Sequence, residues 1–135
     1  MPRAFVDTLR QDLALCLIAL LPGAAWTEGA VRLLDCTAVK VCDAAAACTA
    51  DSVHVAFRME PVERAADGSG SYTLSYGDTK AEMRALSDAG PFVWTVGDER
   101  NTLLASSETQ FVWHRLAFDP APHATVRFLA CALRQ

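Results

Sequence analysis

Residues 71–78 read Ser-Tyr-Thr-Leu-Ser-Tyr-Gly-Asp, and their alternation decides the fold class. Tyr72, Leu74 and Tyr76 fall on one side of an extended segment, with Ser71, Thr73 and Ser75 on the other. A period of two is that of a strand with one buried and one wet face. Gly77-Asp78 follows at once, and a glycine-led dipeptide after such a run is hairpin chemistry. The pattern continues outward in both directions. Upstream, Val53, Val55, Phe57 and Met59 alternate with His54, Arg58 and Glu60; downstream, Phe92, Trp94 and Val96 alternate with Val93 and Thr95. Val39 and Val41 give a first strand, Leu103 and Leu104 a short sixth, and Phe111 with Trp113 a seventh. In the last strand Val126 and Phe128 oppose Arg127, and the strand closes at Cys131. Segment 79–87 is ambiguous, since Met83 and Leu86 also suit a helix; it is read as a strand.

Turn residues recur at 43–51, 61–70, 77–78, 87–91, 97–101, 106–109 and 118–122, cutting the chain into eight short segments. Connections this short suit hairpins, whereas a parallel crossover needs about a dozen residues or more, so the sheet is expected to be antiparallel. An all-β fold of about eight strands follows, an up-and-down barrel or, alternatively, a β-sandwich.

The N-terminus reads as an address. Residues 13–21, LALCLIALL, form an apolar run followed by Pro22, Gly23, Ala24 and Ala25. The run is too short for a membrane span, which needs roughly 20 apolar residues, but it suits a signal-peptidase substrate. Gly23 and Ala25 supply the small residues before a cut preceding Trp26. Residues 1–25 are therefore expected to be a cleaved signal peptide, and residues 26–135 one small domain in the periplasm or secreted. Asp7 and Asp12 beside Arg3 and Arg10 fit less well, leaving only the terminal amine to make the segment positive. An amphipathic cytosolic helix is the alternative, but nothing charged lies between Asp12 and Glu28. Cys16 follows Leu15 inside the apolar run, whereas a lipidation site needs a small residue before its Cys.

Removal of Cys16 with the signal leaves Cys36, Cys42, Cys48 and Cys131, an even number that reads as two disulfides in an exported domain of this size. The spacing suits zinc poorly, since zinc knuckles bring cysteines two to four residues apart in pairs. Of three possible pairings, Cys42 with Cys48 and Cys36 with Cys131 are favoured. The first closes a short loop where the strand pattern reverses; the second ties first strand to last, which favours a barrel. In the chain-entropy model they contribute about 2 and about 4–5 kcal/mol.

The chain carries 12 basic and 16 acidic residues, net −4, and its basic residues are scattered singly. Neither nucleic acid nor an anionic membrane is an expected partner. Two segments share a local pattern, Phe92-Val93-Trp94-Thr95 and Phe111-Val112-Trp113-His114. With one short strand between them they lie two strands apart, so their rings can meet as core. They can also form a ligand mouth or partner patch, which makes Phe92, Trp94, Phe111, Trp113 and His114 the candidate binding residues. His54 and His114 fall opposite the apolar parity and are expected at the surface. No histidine pair has metal spacing, and Gly68-Ser69-Gly70 lacks the residues of a nucleophile elbow. Asp98-Glu99 lies in a turn, where carboxylates are ordinarily solvated. The stretch 67–70, Asp-Gly-Ser-Gly, is similar to calcium-binding glycine repeats but stands as a single copy. No catalytic residue, metal or cofactor is expected.

Gly90-Pro91-Phe92-Val93-Trp94-Thr95-Val96-Gly97-Asp98, with Leu103-Leu104, Ser106-Ser107-Glu108, Phe111-Val112-Trp113-His114 and Phe128-Leu129-Ala130-Cys131, resembles small exported bacterial proteins of uncharacterised function. The likeness covers the last 45 or so residues and the 42–48 loop, and implies no functional residue. In architecture alone the chain is similar to periplasmic β-barrel lysozyme inhibitors, whose Ser-Gly-centred loop is echoed by Gly68-Ser69-Gly70-Ser71-Tyr72. The resulting expectation is a binding or inhibitor module, its partner an envelope protein or a small ligand. A structural or assembly component of the cell envelope is the alternative, and a hydrolase comes third.

Overall fold

The computed structural model describes residues 29–134, and expectations about residues 1–25 lie outside them. Nine strands follow one another: β1 (Arg32–Asp43), β2 (Cys48–Ala50), β3 (His54–Arg64), β4 (Gly70–Tyr76), β5 (Thr79–Ala85), β6 (Phe92–Val96), β7 (Glu99–Ala105), β8 (Gln110–Ala117) and β9 (His123–Arg134). From β3 to β9 each strand pairs antiparallel with the next, and β9 returns to pair with β1. Eight strands thus close an up-and-down barrel, and β2 is an extra strand on β1. The sandwich alternative falls with this closure. Within segment 79–87, Thr79–Ala85 is the strand β5 rather than a helix, with Met83 and Ala85 inside and Lys80, Glu82 and Arg84 outside.

β1 is much longer than its Val39–Val41 centre suggests. Its first half pairs with β3, from Arg32↔Met59 to Thr37↔His54, and its second half with β2, from Lys40↔Ala50 to Cys42↔Cys48. Along its other side runs β9, from Leu33↔Arg134 to Asp43↔Thr125, with a bulge between Ala38 and Lys40. That bulge changes the parity. Leu34, Cys36 and Ala38 point into the barrel, while Val39 is exposed. β2 lies inside the expected 43–51 turn, and β3 runs on through Pro61 to Arg64 where a turn was expected. A bulge between Pro61 and Glu63 accommodates the proline, which has no N–H for a ladder.

The interior is one cluster, centred on Phe57, Met59, Tyr72, Leu74, Met83, Leu103 and Leu129. Burying a side chain of this size contributes roughly 1.5–3 kcal/mol. Both disulfides have the expected pairings. Cys36–Cys131 joins register partners of β1 and β9 in the interior, and Cys42–Cys48 closes the β1–β2 hairpin. Two such bonds are the mark of an oxidising, extracellular type of compartment. No helix among the described residues is long and apolar enough to cross a membrane.

At the end of the barrel where β3 meets β4, loops are cross-tied. Arg64 Nη2 donates to Asp88 Oδ1 at 2.9 Å, Arg32 Nη1 to the Asp88 carbonyl at 3.0 Å, and the Tyr72 hydroxyl to the Gly68 carbonyl at 2.7 Å. Gly68 is required there, because a Cβ would stand 2.0 Å from Asp88 Oδ1. Asp67, in the stretch resembling a calcium repeat, accepts from the Ser69 hydroxyl and amide, and these hold its carboxyl below the usual range.

Candidate functional site

The opposite end holds the aromatic residues. β6 and β8 flank β7, so equal parity brings Trp94 and Trp113 together inside, ring centroids 6.2 Å apart. Phe57 and Tyr76 complete the cluster, mostly edge to face. Each indole N–H has a partner: Trp94 Nε1 donates to the Tyr76 hydroxyl at 3.1 Å, and Trp113 Nε1 to Asn101 Oδ1 at 2.9 Å. Asn101, 1% exposed, passes the chain on by donating Nδ2 to Glu99 Oε1 at 3.0 Å.

Above the indoles lies a layer of paired charges. Arg115 donates Nε and Nη2 to the two Glu99 oxygens, at 3.1 and 2.8 Å, and Arg127 Nε donates to Asp51 Oδ2 at 3.0 Å. Both guanidinium groups stand over the Trp113 ring, at 5.1 and 5.8 Å from its centroid. Burial pushes the Glu99 carboxyl up, but hydrogen bonds from Arg115 and Asn101 outweigh it and leave the group below its usual range. At Asp51, burial is likewise outweighed, by the Val53 amide, Arg127 and the Ser52 amide. The mouth is therefore filled by side chains paired with one another, above the buried aromatic cluster.

The shortest ladder of the closed wall lies elsewhere, between β5 and β6. The β5–β6 ladder has three pairs, Met83↔Trp94, Arg84↔Val93 and Ala85↔Phe92, against five to ten in the other ladders that close the barrel. Beyond Met83↔Trp94 the β4–β5 and β6–β7 hairpins have no ladder between them. Each hairpin is complete to its tip, since β4–β5 pairing reaches Tyr76↔Thr79 and β6–β7 pairing reaches Val96↔Glu99. Their turns begin with Gly77 and Gly97, at φ +52° and +57°, where a side chain would be strained. The seam carries a groove of about 510 Å³ lined by Glu82, Arg84, Thr95, Arg100 and Thr102, with Met83, Trp94 and Asn101 also in its wall.

Of the five residues expected to bind, Phe92, Trp94, Phe111 and Trp113 lie in the interior, between 1% and 7% exposed, while His114 lies on the outer face. The structure does not bring His114 to the other four. It places His114 between Thr102 and Val126 on neighbouring strands. His54, also exposed, hydrogen-bonds Asp35. Of the five, only Trp94 reaches the groove. Glu82, Arg84, Thr95, Arg100 and Thr102 were not singled out from the sequence, because a polar residue on a wet strand face carries no local mark of a missing ladder. In comparison with known proteins, no family model, no curated protein and no solved structure matches the chain.

Proposed function

We propose that the chain is a binding module of the periplasm or the extracellular space, and that its site is the β5–β6 seam. One observation carries this reading: a wall closed by long ladders elsewhere is held here by three pairs, leaving a groove with both apolar and charged lining. Concave sites with a few convergent polar groups on a rigid scaffold are the usual form of a ligand site. Export is supported by the two disulfides and by the 13–21 apolar run with small residues after it.

A second reading, a structural component of the envelope, has its own observation. Leu104, Val112 and Phe128 are register partners across β7, β8 and β9 on the outer face, and Leu104 and Phe128 are 44% and 40% exposed. Such an apolar row suits permanent packing against another protein. The two readings separate by site-specific photo-crosslinking in the exporting host, with the reactive side chain at Thr95 or at Val112. Adducts from Thr95 support the seam. Adducts from Val112 alone, with stable co-purification, favour the structural reading, and no adduct from either position contradicts both.

A further inference from the structure

We propose that the Cys42–Cys48 bond is a thiol–disulfide exchange site whose substrate is a dithiol, the two reduced cysteines of another polypeptide. The two disulfides differ in access. Cys36 and Cys131 are 1% and 7% exposed, inside the barrel, whereas Cys48 stands at the surface with the whole of β2 and residues 43–47. β2 pairs with β1 alone, and residues 44–47 are all alanine, so the loop puts no side chain longer than a methyl group in the way of an incoming chain. Exchange needs a sulfur open to attack and a fold that survives the open state. Cys48 supplies the first. For the second, barrel closure rests on the β1–β9 ladder and on Cys36–Cys131, and a loop as short as 43–47 is the kind whose cross-link restricts the unfolded chain least.

The turn is also fixed without its sulfurs. Asp43 Oδ1 accepts from the Ala45 and Ala47 amides, both at 2.9 Å, while Asp43 N–H donates to the Ala47 carbonyl at 3.0 Å and Ala46 N–H to the Asp43 carbonyl at 3.1 Å. Cys42 and Cys48 are register partners of that hairpin, so two thiols there stay face to face and can close again. Lys40 shares the outer face of Cys42, two residues away, where its cation favours the leaving thiolate; the adjoining carboxylate, Asp43, has the opposite parity and is held by the turn amides. Cys42 is only 9% exposed, so the approach is to Cys48. A substrate thiolate attacks Cys48 Sγ in line with the bond and forms a mixed disulfide, and Cys42 leaves as a thiolate that takes a proton from water. The second substrate thiolate then displaces Cys48. The substrate is thereby oxidised by two electrons to its disulfide, and the Cys42–Cys48 pair is reduced to two thiols. A low-molecular-weight disulfide restores the bond by the same two displacements and is itself reduced to two thiols.

The test gives the oxidised protein, in substoichiometric amount, a reduced synthetic peptide with two cysteines, and oxidised glutathione as the final acceptor. Peptide oxidation should run about tenfold or more above the rate with glutathione alone, through many turnovers, and alkylation of samples taken during the reaction should trap thiols at Cys42 and Cys48 only. Cys42→Ser should accumulate a mixed disulfide at Cys48, whereas Cys48→Ser, with its remaining sulfur covered, should form one far more slowly. Asp43 acts as a positioning residue. At a fixed glutathione ratio, Asp43→Ala should shift the pair toward the dithiol by about fivefold, the worth of roughly one hydrogen bond, and Asp43→Asn, which keeps the acceptor, should restore it. No acceleration, a single stoichiometric exchange without turnover, or equal acceleration by the Cys42→Ser, Cys48→Ser double variant each overturns the proposal. So does trapping of Cys36 and Cys131 as readily as Cys42 and Cys48, or equal reactivity of the two single variants.

Discussion

The indole of Trp113 lies beneath two guanidinium groups, each fixed by a carboxylate, and its N–H is taken by Asn101. A ring held from three directions is scaffold, and its removal leaves a cavity the barrel cannot collapse to fill. Trp113→Ala should cost about 3–5 kcal/mol in chemical denaturation, and Trp94→Ala a loss of similar size. A loss under about 1 kcal/mol at either position would mean that the ring is not packed as described. Asn101→Leu should cost roughly 1–3 kcal/mol, because the Trp113 N–H and Glu99 Oε1 lose their shared partner. Glu99 makes this layer sensitive to acid. Its carboxyl is lowered in the folded state, so its contribution is fully present above the ordinary glutamate value, about 4.3, and is lost as pH falls through the folded value. Denaturation at a series of pH values should therefore show a shallower loss of stability in acid for Glu99→Gln than for the parent. An unchanged slope would show that Glu99 is not paired in solution.

Among the elements, hairpins were the most legible in sequence. Tyr72, Leu74 and Tyr76 face in as their alternation implied, and Gly77-Asp78 is the expected turn, whereas the turn expected over 97–101 is only Gly97-Asp98, since β7 begins at Glu99. The cysteine pairing favoured among the three possible is the one observed, because it closes a short loop where the strand pattern reverses and ties first strand to last. β9 was read in the wrong phase. Val126 and Phe128 face outward and Arg127 inward, because Leu129 and Cys131 are fixed inside by packing and by Cys36. A part-buried charge partner, Asp51, makes the inward arginine tolerable, and it stands 76 residues away, beyond any local pattern. β2 was missed because it is three residues long, Cys48–Ala50, too short to show an alternation. The Cys36–Cys131 bond, spanning 95 residues, stabilises the junction of β1 and β9 by restricting the unfolded chain. Replacing both cysteines by alanine should lower stability by up to about 4–5 kcal/mol, whereas the same change at Cys42 and Cys48 should cost about 2. Equal costs would show that the two bonds do not act chiefly through loop closure.

For the whole molecule, architecture could be read from turn spacing and parity, but the proposed site could not. A seam is a difference between ladder lengths, and it exists only once all eight barrel strands are in register. The sequence pointed to the aromatic residues because they were its most distinctive feature, and the structure buries four of the five. Hydrogen exchange of the free, oxidised barrel tests the open seam most directly. Along β5 the expected result is a contrast: Ala81 and Met83, bonded to β4, exchange slowly, while Lys80, beyond the last ladder pair, exchanges about a hundredfold faster, as an open backbone group does. Uniformly slow exchange from Lys80 through Arg84 would mean that β5 and β6 are zipped along their length, and would contradict the open seam.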